Sequence, residues 1–160
     1  MGKLPSQWSF PSTRIVACHF PLTDAEVADL DEGRAAALAS GVRRATGAEV
    51  TGCRLDDLPA QLSLADGVVN CTPVGLGEEA APFKALPLQA DRLGAGSCVV
   101  DMVYRDGGTR LLEAARTRGA DVIDGLEILV AQGAASFERW TGRTAPREAM
   151  REAVGAIAST

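Results

Sequence analysis

Three short apolar stretches decide most of what this chain can fold into. Gly67-Val68-Val69-Asn70, Cys98-Val99-Val100-Asp101 and Asp121-Val122-Ile123-Asp124 each set β-branched residues in a run of four that ends on a polar side chain. Such runs are too short for helices, and β-branched residues favour extended backbone, so each reads as a strand buried in a sheet. Helix-length segments alternate with them. Thr109 caps one that runs through Arg118 and is ended by Gly119. Gly125 opens a long one to about Trp140, and Pro146, at a first-turn position, starts the last, to about Ala158. Strands alternating with helices at this spacing imply βαβ units and a parallel sheet.

The upstream text is similar in kind. Val27 to Leu30 reads as a short strand, Asp31 as the N-cap of an Ala- and Leu-rich helix through about Arg44, and Glu49 to Cys53 as another strand. Asp57 to Leu64 suits one helical turn or two. Cys71 to Ser97, rich in Gly and Pro, reads mainly as loop. The chain has 160 residues, about one domain, with 46% apolar and only 4% aromatic residues, so its core is built from Ala, Val and Leu. Composition breaks near residue 26. Residues 1–25 hold Trp8, Phe10, the lone histidine and three of the eight prolines. The expected division is an atypical N-terminal segment, 1–25, and a partial α/β domain with C-terminal helices, 26–160.

Several function classes fall away. A formal net charge of −5 argues against nucleic-acid binding, which needs a basic face. No run of about eighteen apolar residues is present, so no membrane span is expected. The N-terminus, with Lys3, Pro5, Ser6 and Gln7, makes a poor signal peptide. Cys18, Cys53, Cys71 and Cys98 are widely and irregularly spaced, and His19 is the only histidine. A zinc site needs close ligand pairs, so no metal is expected. Reduced cysteines and a cytoplasmic location follow as expectations.

Three segments resemble shikimate and quinate dehydrogenases. Val69-Asn70-Cys71-Thr72-Pro73-Val74-Gly75-Leu76 is similar to that family's VNATPxGM motif. Val100-Asp101-Met102-Val103-Tyr104 is similar to its D-x-V-Y strand end. Asp124-Gly125-Leu126-Glu127-Ile128-Leu129-Val130-Ala131-Gln132 is similar to DGxxMLVHQA, and Phe137, Trp140, Thr141 and Gly142 continue the match. The resemblance covers about Val27 to Val154. It implies an α/β fold: an incomplete Rossmann-like parallel sheet flanked by helices, with its first βα unit missing or replaced. It also implies hydride transfer between NAD or NADP and C3 of shikimate or quinate.

In an open parallel sheet, ligands bind beyond the carboxyl ends of the strands, where Asn70, Asp101 and Asp124 fall. Gly75 and Gly125 would let backbone approach the nicotinamide and its ribose. By resemblance, Asp29, Arg34, Asn70, Thr72, Pro73, Gly75, Val103 and Gly125 hold the cofactor, and Tyr104 and Gln132 contact substrate. Asp29 would accept hydrogen bonds from the adenosine ribose and repel a 2′-phosphate, which favours NAD. Arg34 would stack on the adenine or pair with Asp29. Plainer readings stand beside these: Asp29 and Asp31 as helix-start acids, Asn70 to Pro73 as a simple turn, Tyr104 as a surface aromatic, and Gln132 as an ordinary helix-face residue.

The chain also departs from the pattern. Ala131 stands where the family usually has His, and Ile128 or Leu129 where it has Met. No G-x-G-x-x-G or similar turn, which would hold the pyrophosphate at a helix N-terminus, precedes Val27. The family's substrate domain, with its catalytic Lys and Asp, has no counterpart before Asp29. Neither Lys3 nor Lys84 is a suitable substitute, and no catalytic residue is assigned. The expectation is a chain inactive by itself, a truncated or mis-started remnant. The alternatives are a protein-interaction half-domain, a homodimer, or a partner to a separate catalytic domain. A patch of Ile128, Leu129, Phe137 and Trp140 is the expected partner surface. Ile15 to Phe20 is the one segment suited to fill the missing central strand. Only six residues separate Phe20 from Val27, too few for a parallel crossover, so an antiparallel hairpin is predicted.

Overall fold

The computed structural model describes residues 14–18, 24–62, 65–76, 93–105 and 107–158, with backbone alone considered at 14–18 and 157–158. Lys3, Trp8, Phe10, His19, Phe20, Leu64, Lys84 and most of the long loop after Leu76 lie outside the described residues.

The elements are β1 (Arg14–Cys18), β2 (Asp24–Asp29), α1 (Glu32–Thr46), β3 (Glu49–Cys53), a 3-10 turn (Leu55–Asp57), α2 (Leu58–Leu62), β4 (Gly67–Asn70), β5 (Cys98–Asp101), α3 (Arg110–Thr117), β6 (Asp121–Ile123), α4 (Gly125–Thr141) and α5 (Arg147–Ala158). The strand expected to begin at Val27 begins at Asp24, so the composition break falls inside β2. Leu30 lies beyond it and is exposed.

The sheet has six strands in the order β3-β2-β1-β4-β5-β6. β2 with β3, β4 with β5 and β5 with β6 are parallel. β1 is antiparallel to both neighbours, with Arg14 opposite Asp29 and Ile15 opposite Asn70. The hairpin read from the short connection is therefore what forms. The arrangement fills the central position of a Rossmann-like sheet with a strand of reversed direction. Pairing on both sides of β1 also removes two central edges that would otherwise invite aggregation.

Two apolar clusters hold the layers together. One is rich in leucine: Leu58, Leu62, Leu93, Leu111 and Leu112 pack with Val68, Val99 and Ala28. The other is made of small residues: Ala25, Val27, Ala35, Ala39 and Val50. The twofold period of β2 explains why Ala25 and Val27 join one cluster and Ala28 the other. Small residues bring α1 close to β3. A Cβ added at Gly52 would lie 2.9 Å from the Ala36 nitrogen and 3.0 Å from the Ala35 carbonyl carbon.

Helix ends follow the sequence signals. The Asp31 carboxylate accepts the Arg34 N–H at 3.1 Å, and Gly47 closes α1 with φ 76°. Asp124 accepts the Glu127 N–H at 2.8 Å and so caps α4. α4 packs against α5, and the Arg151 guanidinium grips the Glu127 carboxylate at 2.6 and 2.9 Å. The expected apolar patch is narrower than the sequence suggested. Trp140 is 82% exposed, whereas Ile128, Leu129 and Phe137 are only partly so. No described helix is long and apolar enough to cross a membrane.

Candidate functional site

The parallel strands β2, β4 and β5 end at one edge of the sheet on Asp29, Asn70 and Asp101, and Asp124 follows β6 there. Two recesses open along this edge, one on each side of β1.

The first recess is built on a buried polar network. Asn70 is fully buried, and its Nδ2 donates to Asp101 Oδ1 at 2.9 Å. Its Oδ1 accepts from the Thr72 N–H at 3.0 Å and the Thr72 hydroxyl at 2.7 Å. Asp101 Oδ1 also accepts the Val103 N–H at 3.1 Å, and Oδ2 accepts the Thr109 hydroxyl at 2.6 Å. Thr109 in turn caps α3 through the Leu112 N–H. One carboxylate thus ties the ends of β4 and β5 to the start of α3. Burial pushes the Asp101 carboxyl above its ordinary value, and the donors from Thr109, Val103 and Asn70 only partly offset it.

This network fixes the wall of a cavity of about 350 Å³, lined by Cys71, Thr72, Pro73, Leu76, Met102, Val103 and Tyr104. Thr72 and Val103 are buried, while Tyr104 is 53% exposed. Gly75, at φ 104°, turns the chain where other residues would be strained. Gly125 has a different part. A Cβ there would lie 2.7 Å from the Val103 carbonyl oxygen and 2.8 Å from that of Met102. The close approach at Gly125 is therefore that of the chain after β5 to α4. Gln132 is exposed two turns into α4 and lines neither recess.

The second recess, about 160 Å³, is lined by Asp29, Leu30, Glu32, Arg54, Leu55 and Asp56. Asp29 is 1% exposed, and its Oδ1 accepts the Asp31 N–H at 2.9 Å. Arg34 Nε lies 3.2 Å from Asp31 Oδ2 and 4.0 Å from Asp29 Oδ1, so its nearer partner is Asp31. The Arg34 backbone N–H is the chief cause holding the Asp31 carboxyl below its usual value. Arg54 pairs with Glu32 at 2.8 Å across the mouth. A further recess of about 500 Å³ along α3 contains none of the expected site residues.

The edge thus gathers Asp29 and Arg34 on one side of β1 and Asn70, Thr72, Pro73, Val103 and Tyr104 on the other. Sequence reasoning missed Cys71, Leu76 and Met102 as lining residues, and Glu32, Arg54, Leu55 and Asp56 around Asp29. It also missed the joining role of Asp101 and Thr109. Their signals were a polar strand end and a cap, but nothing in the spacing linked them. Cys53 and Cys98 are free thiols, and among the described residues no cluster suits a metal.

The donor set suits two parts of a dinucleotide. A buried carboxylate in a small recess matches a ribose diol, and a larger, mainly apolar recess with backbone turns matches a flat ring. Among the described residues no glycine-rich turn and helix N-terminus lie between the two recesses. β1 passes into β2 through residues 19–23, a link too short for the missing crossover helix.

Known proteins share this fold. Residues 125–154 match the family model of the shikimate 5′-dehydrogenase C-terminal domain. The chain is 42% identical over 144 residues to the shikimate dehydrogenase (NADP(+)) of Halorubrum lacusprofundi, covering 88% of this chain and 49% of that protein. It superimposes on quinate dehydrogenase from Corynebacterium glutamicum in complex with NAD with a TM-score of 0.73, at 34% identity over 82% of this chain and 45% of the other. Shikimate 5-dehydrogenase from Thermus thermophilus, in complex with NADP(H) and shikimate, gives 0.63 at 33% identity, covering 81% and 44%. The chain spans about half the length of the curated relatives it matches. By sequence and by fold it belongs to the shikimate/quinate dehydrogenase family, as the counterpart of the portion that carries the C-terminal domain.

Proposed function

We propose that this chain is a dinucleotide-holding half of a shikimate/quinate-type dehydrogenase, that it prefers NAD to NADP, and that alone it turns over neither shikimate nor quinate. The observation that carries the reading is Asp29: a carboxylate buried at the end of β2, facing a small recess at the sheet edge. A carboxylate there accepts from ribose hydroxyls, and with Glu32 and Asp56 beside it a 2′-phosphate would meet like charge.

On this reading Asp29 holds the adenosine ribose, with Arg34 near the adenine. Thr72, Pro73, Gly75 and Val103 shape the nicotinamide recess, Asn70 positions Thr72, and Gly125 fixes the packing of α4 on its wall. The bound cofactor would supply or accept the hydride. Tyr104, on the open side of the larger recess, and Gln132, on α4, are the substrate-contact candidates. The described residues contain neither lysine nor histidine, and Asp101 is already committed to three donors. That leaves no evident group among them to exchange the proton of the hydroxyl being oxidised.

Calorimetry with NAD and NADP, paired with a quinate- and shikimate-dependent reduction assay, tests the reading. NAD should bind at least about tenfold more tightly than NADP, a difference of about 1.4 kcal/mol, without turnover. Asp29→Asn should shrink that ratio. A folded protein that binds neither dinucleotide removes the cofactor reading. Turnover removes the claim that the chain alone is inactive.

A further inference from the structure

The smaller recess carries a cation that is already engaged. β3 runs parallel to β2 with Cys53 opposite Ala28, so Arg54, one residue beyond β3, stands beside the end of β2 at Asp29. The Arg54 guanidinium pairs with Glu32, the first residue of α1, at 2.8 Å. Its other carboxylate, Asp56, lies at 3.9 Å, beyond hydrogen-bond length. Arg54, Glu32 and Asp56 all line the recess in which Asp29 is the buried carboxylate. Arg34, held by Asp31 at 3.2 Å, is not among its lining residues.

A ribose diol at Asp29 sets its 2′ oxygen within hydrogen-bond reach of that carboxylate. The recess holds about 160 Å³, so a phosphate on that oxygen has to project to the mouth, where Arg54 and Glu32 meet. There the pair presents no net charge, and Glu32 takes up donors that a phosphate would need. Without Glu32, the same guanidinium presents a full positive charge and paired N–H groups suited to phosphate oxygens. The two side chains are 60% and 61% exposed, and an exposed pair is weakly held, so exchanging one anion for another disturbs the fold little. Resting on the dinucleotide reading above, we propose that the Glu32–Arg54 pair determines the choice of cofactor: Glu32 occupies Arg54 and so withholds a cation from a 2′-phosphate. Preference for NAD then has two sources, repulsion by Asp29 and a cation kept engaged beside it.

Calorimetry on the full chain with NAD and NADP tests this in a double-mutant cycle of wild type, Glu32→Gln, Arg54→Gln and the double variant. The readout is the ratio of NAD to NADP affinity, in which a loss common to both dinucleotides cancels. With Arg54 present, Glu32→Gln should shrink that ratio by at least about tenfold. In the Arg54→Gln background the same substitution only removes one exposed negative charge, and should shrink it by no more than about threefold. The gain in NADP affinity should also fade as ionic strength rises, because the released cation is exposed. Equal effects in both backgrounds, a gain indifferent to salt, or no NADP binding by any variant overturns the proposal while NAD binding keeps the cofactor reading standing. If wild type binds neither dinucleotide, both fall.

Discussion

The two sides of the cleft are built on different principles. Beside β4 and β5, the site rests on a closed network in which Asn70, Thr72, Asp101, Val103 and Thr109 satisfy one another out of water. Beside β2 and β3, only Asp29 is buried, and the remaining charges pair at the surface, with Arg54 and Glu32 each about 60% exposed. On the reading proposed above, the difference separates two tasks: the closed network holds the nicotinamide ring in one place, and the charges beside Asp29 recognise the nucleotide.

The largest effect should come from the network. Asp101→Ala leaves the buried Val103 N–H and Thr109 hydroxyl without an acceptor and Asn70 Nδ2 with only the Val74 carbonyl, at 3.4 Å. Buried unsatisfied groups cost about 1–3 kcal/mol each, so a loss of about 3 kcal/mol or more is expected in urea denaturation. Arg54→Ala on the other side breaks only an exposed pair and should cost less than about 1 kcal/mol. Equal losses would dissolve the contrast.

How much of this was legible beforehand depends on the range of the interaction. The caps Asp31 and Thr109 could be read because a cap is local, settled within three or four residues. The antiparallel β1 could be read because the link to β2 is too short to permit anything else. The bond between Asn70 and Asp101 spans 31 residues, and no pattern in the sequence connects them. The same holds for Gly125. Its motif pointed to the cofactor, but the atoms against it belong to Met102 and Val103. Glu32, Arg54 and Asp56 meet only because β3 lies beside β2, and each reads in sequence as an ordinary surface charge.

One pair of substitutions should affect the two sides alike and so mark where the contrast stops. Gly52→Ala drives a methyl into the backbone of α1 at 2.9 Å, and Gly125→Ala drives one into the Val103 carbonyl at 2.7 Å. Neither obstacle is the end of a flexible side chain, so each should cost about 1–3 kcal/mol through forced backbone shifts. Their ligand effects should differ. Gly125→Ala displaces α4 against the wall of the larger recess and should weaken NAD while sparing adenosine. Gly52→Ala, which moves α1 and the neighbourhood of Asp29, should weaken both. Calorimetry with the two probes checks this, and loss of adenosine binding in Gly125→Ala would show that the sides are mechanically coupled.

The smallest expected effect concerns acidity, and here the two sides should respond with opposite sign. Asp101, with its folded pKa raised by burial, binds its proton more readily folded than unfolded. Its contribution favours the fold below the ordinary value of 3.8 and is lost as the pH rises through the raised value. Asp31, lowered chiefly by the Arg34 N–H, stabilises above 3.8 and gives that up as the pH falls through its lowered value. Urea midpoints between about pH 3 and about pH 6 should therefore diverge in two ways. Wild type minus Asp101→Asn should decline as the pH rises, and wild type minus Asp31→Asn should climb. Asp31 is exposed, so salt should flatten its curve and leave that of Asp101 nearly intact. If both differences sloped the same way, Asp101 would be held as a charge in the fold, and the rigid wall would be stabilised by its three donors more than it is strained by desolvation.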